Sequence, residues 1–183
     1  GLLLFGIVRR TVDEPPEAPW LALAAAGIWL LHPLQTESVT YLIQRTESLM
    51  GLFYLLTLYA ALRDWKVLAV LSCALGMATK EVMVTAPLAV LLWDRTYRAG
   101  SFREAWARRR GLYLGLAATW GVLAACLADG TQTRYAGFGF REIGPMDYAK
   151  TQCGVILHYL RLAVWPHPLV VDSTLPFKVL REQ

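Results

Sequence analysis

Apolar residues run almost unbroken over positions 1–8, 20–31, 49–62, 67–79, 82–93 and 111–128. Within these runs the apolar side chains cover every side of a helix rather than one stripe, a pattern for helices buried all round or facing hydrocarbon. The last run is long enough to span a bilayer unaided, which takes about 20 residues. The middle runs are shorter, and each taken singly suits the core of a soluble protein. Six in succession leave a soluble protein too little surface to face water. The pattern therefore predicts an all-α polytopic membrane protein, residues 1–183 forming one membrane domain. Its expected architecture is a bundle of about six to seven transmembrane helices with short outer loops and one interfacial or re-entrant helix.

Polar residues gather between the runs, and their signs alternate. Arg9 and Arg10 lie in the first connection, Arg63 and Lys66 in the third, and Arg95, Arg98, Arg103, Arg108, Arg109 and Arg110 in the fifth. The even-numbered connections carry few basic residues, each with acidic company. Such alternation places the odd connections in the cytoplasm and the even ones on the outer face, periplasm or lumen. Composition agrees: 56% of the 183 residues are hydrophobic, 17% are charged and mean hydropathy is +0.39. Soluble domains carry about 25% charged residues. The net charge of +4 is dispersed over several connections, so it reads as a topology signal and argues against nucleic acid as a partner. Cys73, Cys126 and Cys153 show neither disulfide nor metal-ligand spacing, and no metal site is expected.

The outward connections hold the candidate chemistry. In "LLHPLQTESVTYLIQRTESLM", residues 30–50, ionisable groups stand between two apolar runs. Ionisable groups at such depth normally face a bundle interior or a wet cavity. The runs on either side are short, so each helix is expected to recruit polar neighbours: His32 and beyond for the first, residues before Leu49 for the second. If 37–50 is helical, Glu37, Tyr41, Arg45 and Ser48 share a face. Glu37 and Arg45 are then two turns, roughly 12 Å, apart and do not pair with each other. The next outer connection is a tight turn carrying Lys80 and Glu81. Glu37 with Lys80 and Arg45 with Glu81 are the cross-loop pairs it suggests, against simple anchoring at the interface. Beyond a Gly- and aromatic-rich loop holding Arg134 and Arg141, residues 147–164 read as a more polar helix. There Arg134, Lys150, His158 and Arg161 either meet an anionic headgroup or snorkel. No phosphate-binding glycine loop or serine-nucleophile elbow is present.

The segments "HPLQTESVTYLIQRTESLMGLFYLL", "ATKEVMVTAPLAVLLWD" and "YAKTQCGVILHYLRLAVWPHPLVVD" resemble bacterial relatives of the transmembrane and tetratricopeptide-repeat O-mannosyltransferases, membrane glycosyltransferases of the GT-C type. The resemblance covers most of the chain in order and spacing, and implies a partial GT-C-like core. It implies a hexosyltransferase of the bacterial inner membrane with its site facing the periplasm. Such an enzyme moves a mannose-like sugar from a polyprenyl-phosphate donor to a protein or glycan hydroxyl. That transfer needs a carboxylate to accept the hydroxyl proton and cations to stabilise the departing phosphate. His32, Arg45, Lys80 and Arg134 are the expected phosphate ligands, with Glu37 and Glu81 positioning them or the sugar. The resemblance also implies a principal acidic residue in an earlier outer loop and a repeat domain further on. The chain is thus expected to be an inactive fragment lacking both, with Glu37 the candidate base within it. A non-catalytic lipid-carrier-binding or scaffold protein is the alternative, and a transporter a more distant one, since no internal repeat is visible.

Overall fold

The structure is a computed structural model that describes residues 1–12, 17–33, 45–128 and 145–165. The described elements are helical throughout: α1 (Leu2–Thr11), α2 (Ala18–Leu31), α3 (Arg45–Leu62), α4 (Lys66–Thr79), a 3-10 turn (Glu81–Thr85), α5 (Ala86–Asp94), a π turn (Arg95–Ala99), α6 (Phe102–Ala128) and α7 (Pro145–Val164). Helix α1 packs on α2 and α3, α3 on α4 and α5, and α6 on α4 and α5.

Each boundary has a local cause. Helix α2 stops where His32 turns extended, immediately before Pro33. Helices α3 and α4 are joined by a turn in which Asp64 takes the left-handed conformation (φ 59°), and the Trp65 amide donates to the Ala60 carbonyl at 2.9 Å. Helix α4 ends at Lys80, whose backbone is extended (φ −159°, ψ 144°). The chain then folds Met83 back over Gly76, where a Cβ would meet the Met83 sulfur at 2.7 Å and would displace that side chain. Pro87 opens α5, and left-handed Gly100 closes the π turn that follows it.

The interior mixes large and small side chains: Met77, Met83, Leu112 and Leu116 are buried, and so are Ala22 of α2, Ala60 and Ala61 of α3, and Ala69, Ser72 and Cys73 of α4. Leu21 and Leu23 beside Ala22, Leu71 and Leu75 of α4, and Leu88 and Leu92 of α5 are exposed. Small residues at the seams let helix backbones approach closely, the mode that serves helices in lipid. Hydroxyls add links across the seams. Thr57 and Ser72 bond at 3.0 Å between α3 and α4, and Cys73 and Thr119 lie 3.3 Å apart between α4 and α6.

The expected count of about six to seven spans is overturned. Among the described residues only α6, with 27 residues, is long and apolar enough to cross a membrane. Helices α2 and α4 have 14 residues each and α5 has nine. At 1.5 Å per residue they rise roughly 21 Å and 14 Å, short of the ~30 Å hydrocarbon core. Helix α2 does not extend through His32 as its length seemed to require. Helix α3 does begin four residues before Leu49, but those residues are Arg45, Thr46, Glu47 and Ser48, so it gains length and loses apolarity. Apolar runs in the sequence mark helices; only one of the described helices continues far enough to mark a span.

Candidate functional site

The α3–α4 hairpin separates two polar ends. At the hairpin's open end, α3 begins and α4 stops, and the predicted residues Arg45, Lys80 and Glu81 lie here. Lys80, freed from the helix by its extended backbone, points its ammonium at the Glu47 carboxylate and forms an ion pair. Glu47 occupies the first turn of α3, where a carboxylate is also favoured by the helix dipole. The side chains of Lys80 and Glu47 remain 30% and 38% exposed, so both are reachable from outside. Behind them, the Trp120 indole of α6 donates to the Val84 carbonyl at 3.2 Å, and Tyr54 meets Thr85 at 3.3 Å. These bonds fix the 3-10 turn that follows Lys80.

The other predicted residues divide. Arg45 is exposed and Glu81 half-buried, and they do not pair with each other, so that cross-loop pair is not formed. His32, the residue after α2, donates its Nε2 hydrogen to the Ala163 carbonyl of α7 at 3.0 Å. It therefore joins two helices and is not part of the Lys80–Glu47 pair. Glu37 and Arg134, with the proposed Glu37–Lys80 pair, lie outside the described residues. Glu47 belongs to the same polar stretch, and its position in the first turn of α3 is what aims it at Lys80.

The closed end holds a network that the sequence pattern does not reveal. Asp94, the last residue of α5, is 1% exposed, and Arg109 of α6 is 8% exposed. One terminal nitrogen of Arg109 donates to both Asp94 oxygens at 2.7 and 2.6 Å. The other donates to the Ala61 carbonyl at 2.6 Å and reaches Asp64 at 2.7 Å. Tyr113 donates its hydroxyl hydrogen to Asp94 at 2.5 Å. Arg98 of the π turn bridges Asp64 at 3.1 Å and the Leu62 carbonyl at 3.0 Å. Arg109 departs from helical geometry (φ −133°, ψ 27°), and this kink in α6 accompanies the turn of its side chain into the bundle. A cleft of about 300 Å³ opens beside it, lined by Asp64, Asp94, Arg98, Ala99, Ala105, Arg108 and Arg109.

The fold also gathers the basic connections at this closed end. Arg10 stacks on Tyr59, Arg63 on Trp65, Arg95 on Phe102 and Arg98 on Trp93. The Trp93 indole donates to Thr11 at 3.0 Å, bringing the end of α1 to the same place. Among the described residues, Arg9, Arg10, Arg63, Lys66, Arg95, Arg98, Arg103, Arg108, Arg109 and Arg110 belong to this end, against Glu17, Asp64, Asp94 and Glu104. No family model matches the chain, and no curated protein or solved structure matches it.

Proposed function

We propose that the chain is a membrane glycosyltransferase core that moves a sugar, mannose-like, from a polyprenyl-phosphate donor to a protein or glycan hydroxyl. The reaction belongs at the Lys80–Glu47 end. The observation that carries this reading is the half-exposed Lys80–Glu47 pair, held on a helix break and a helix start. A lysine so placed can leave its carboxylate for a phosphate without unfolding any element. Transfer from a lipid phosphate needs a cation to stabilise the leaving phosphate, which is the role of Lys80. It also needs a carboxylate to accept the proton of the attacking hydroxyl. Glu47, the carboxylate paired with Lys80, is one candidate, and Glu37 is the other. The exposed leucines of α2, α4 and α5 supply an apolar surface for the lipid chain or the surrounding bilayer.

The charge pattern supports one orientation. With the basic end in the cytoplasm, Lys80 and Glu47 face the periplasm of a bacterial inner membrane. In intact cells, Glu81→Cys is then labelled by a membrane-impermeant maleimide, and Arg103→Cys is labelled only after permeabilisation. The chemistry is tested with the full chain in proteoliposomes holding radiolabelled polyprenyl-phosphate mannose. Lys80→Ala abolishes donor binding, whereas Arg161→Ala retains it. Equal losses from both would remove Lys80 from the site. Donor binding without transfer to any acceptor would favour a carrier-binding protein.

A further inference from the structure

We infer that the closed, arginine-rich end carries a binding site for the phosphodiester headgroup of an anionic membrane phospholipid, in the cleft between Arg98 and Arg108. The cleft, about 300 Å³, is of a size to take a headgroup phosphate and its glycerol linkage. Its acidic lining does not oppose an anion. Asp94 has both oxygens on Arg109 and one on Tyr113, and Asp64 lies against Arg98 and Arg109. Asp94 is enclosed in the wall, and Asp64, although 53% exposed, is paired with two guanidinium groups, so both carboxylates serve to hold the arginines in place. Arg108, by contrast, is 62% exposed and engages only Glu104 among the described residues, at 2.5 Å through one terminal nitrogen. Its remaining donors are free for a phosphate, which a planar guanidinium binds in a fork.

The surroundings select a lipid over a free phosphate. Exposed Trp65, Tyr97, Phe102 and Trp106 stand at this same end. Such aromatics favour the boundary between headgroups and hydrocarbon. Trp106 stacks on Tyr113 with ring centres 5.8 Å apart, just where α6 passes from its arginine-rich first turns into the apolar run 111–128. A headgroup in the cleft therefore leaves its acyl chains beside the part of α6 that suits hydrocarbon. The excess of basic over acidic residues at this end adds long-range attraction for an anionic leaflet. This inference rests on the reading of α6 as membrane-embedded, and is independent of sugar transfer at the opposite end.

The test is thermal melting of the full chain in neutral detergent micelles doped with phosphatidylglycerol or with phosphatidylcholine. At saturating phosphatidylglycerol, Tm should rise by about 5 °C, with no rise in phosphatidylcholine. Arg108→Gln touches only an exposed pair, so it should fold normally and lose at least half of that rise. Arg98→Gln should lose it as well, and Lys80→Ala should keep it. Equal shifts from the two lipids, or a phosphatidylglycerol shift that survives both arginine substitutions, would overturn the site. So would an equal shift from inorganic phosphate, which would make it a free-anion site. A shift lost in Lys80→Ala alone would assign the lipid to the opposite end, overturning this site while leaving the proposed transferase intact.

Discussion

The two ends of the bundle hold ion pairs of different kinds. At the closed end Asp94 and Arg109 are buried, and they bond to each other, to Ala61 of α3, to Asp64 in the turn after it and to Tyr113 of α6. At the open end Lys80 and Glu47 meet once, half in solvent, from a helix start and a helix break. A buried pair is costly to break because the survivor has no water to fall back on. An exposed pair contributes little to stability, since water replaces the lost partner. The first arrangement sets geometry and the second can exchange its partner, which is the ground for proposing a ligand at the open end's lysine and a structural duty for the closed end's aspartate.

The largest effect that separates the two ends is expected from Arg109→Ala, which leaves Asp94 buried without its cation. It should destabilise the protein by about 3–5 kcal/mol, read as a fall in Tm in detergent. Replacing both partners, as Asp94→Leu with Arg109→Leu, should restore most of the loss. If the double variant is no better than the single one, the pair is not the unit that holds this end. Tyr113→Phe is the next test. It removes one donor from Asp94 and should cost about 1–3 kcal/mol. A cost near zero would mean that Arg109 alone satisfies the carboxylate. Lys80→Ala should change stability least, by ~1 kcal/mol or below, while donor binding disappears. A large stability loss there would erase the distinction between the ends.

Much of the local structure is legible in the chain. The apolar runs coincide with helices, and the Lys80–Glu81 position marks a real break between α4 and the turn that leads to α5. The segment read as a helix over 147–164 is helical from Pro145. An apolar run does not by itself make a span: Pro33, Asp64, Lys80 and the π turn end four helices after nine to 18 residues, and among the described residues α6 alone is long and apolar enough to cross a bilayer. The partner of Lys80 was also out of reach. Glu37 and Glu47 lie in the same polar stretch, and only the start of α3 at Arg45 places Glu47 across from the α4 terminus. Arg109 was least visible of all, because it stands between Arg108 and Arg110 in a run that reads as one solvated basic patch.

By itself the sequence determined where helices form, because apolar content and the breakers between runs act over a few neighbouring residues. It also determined that basic residues occupy alternate connections, a property of order along the chain. Only the tertiary structure decided which side chains fill the seams, alanines of α3 and α4 beside Leu112 and Leu116 of α6, and that one arginine of three consecutive ones turns inward. Those outcomes depend on which helices pack together and at what depth, and no local segment carries that information.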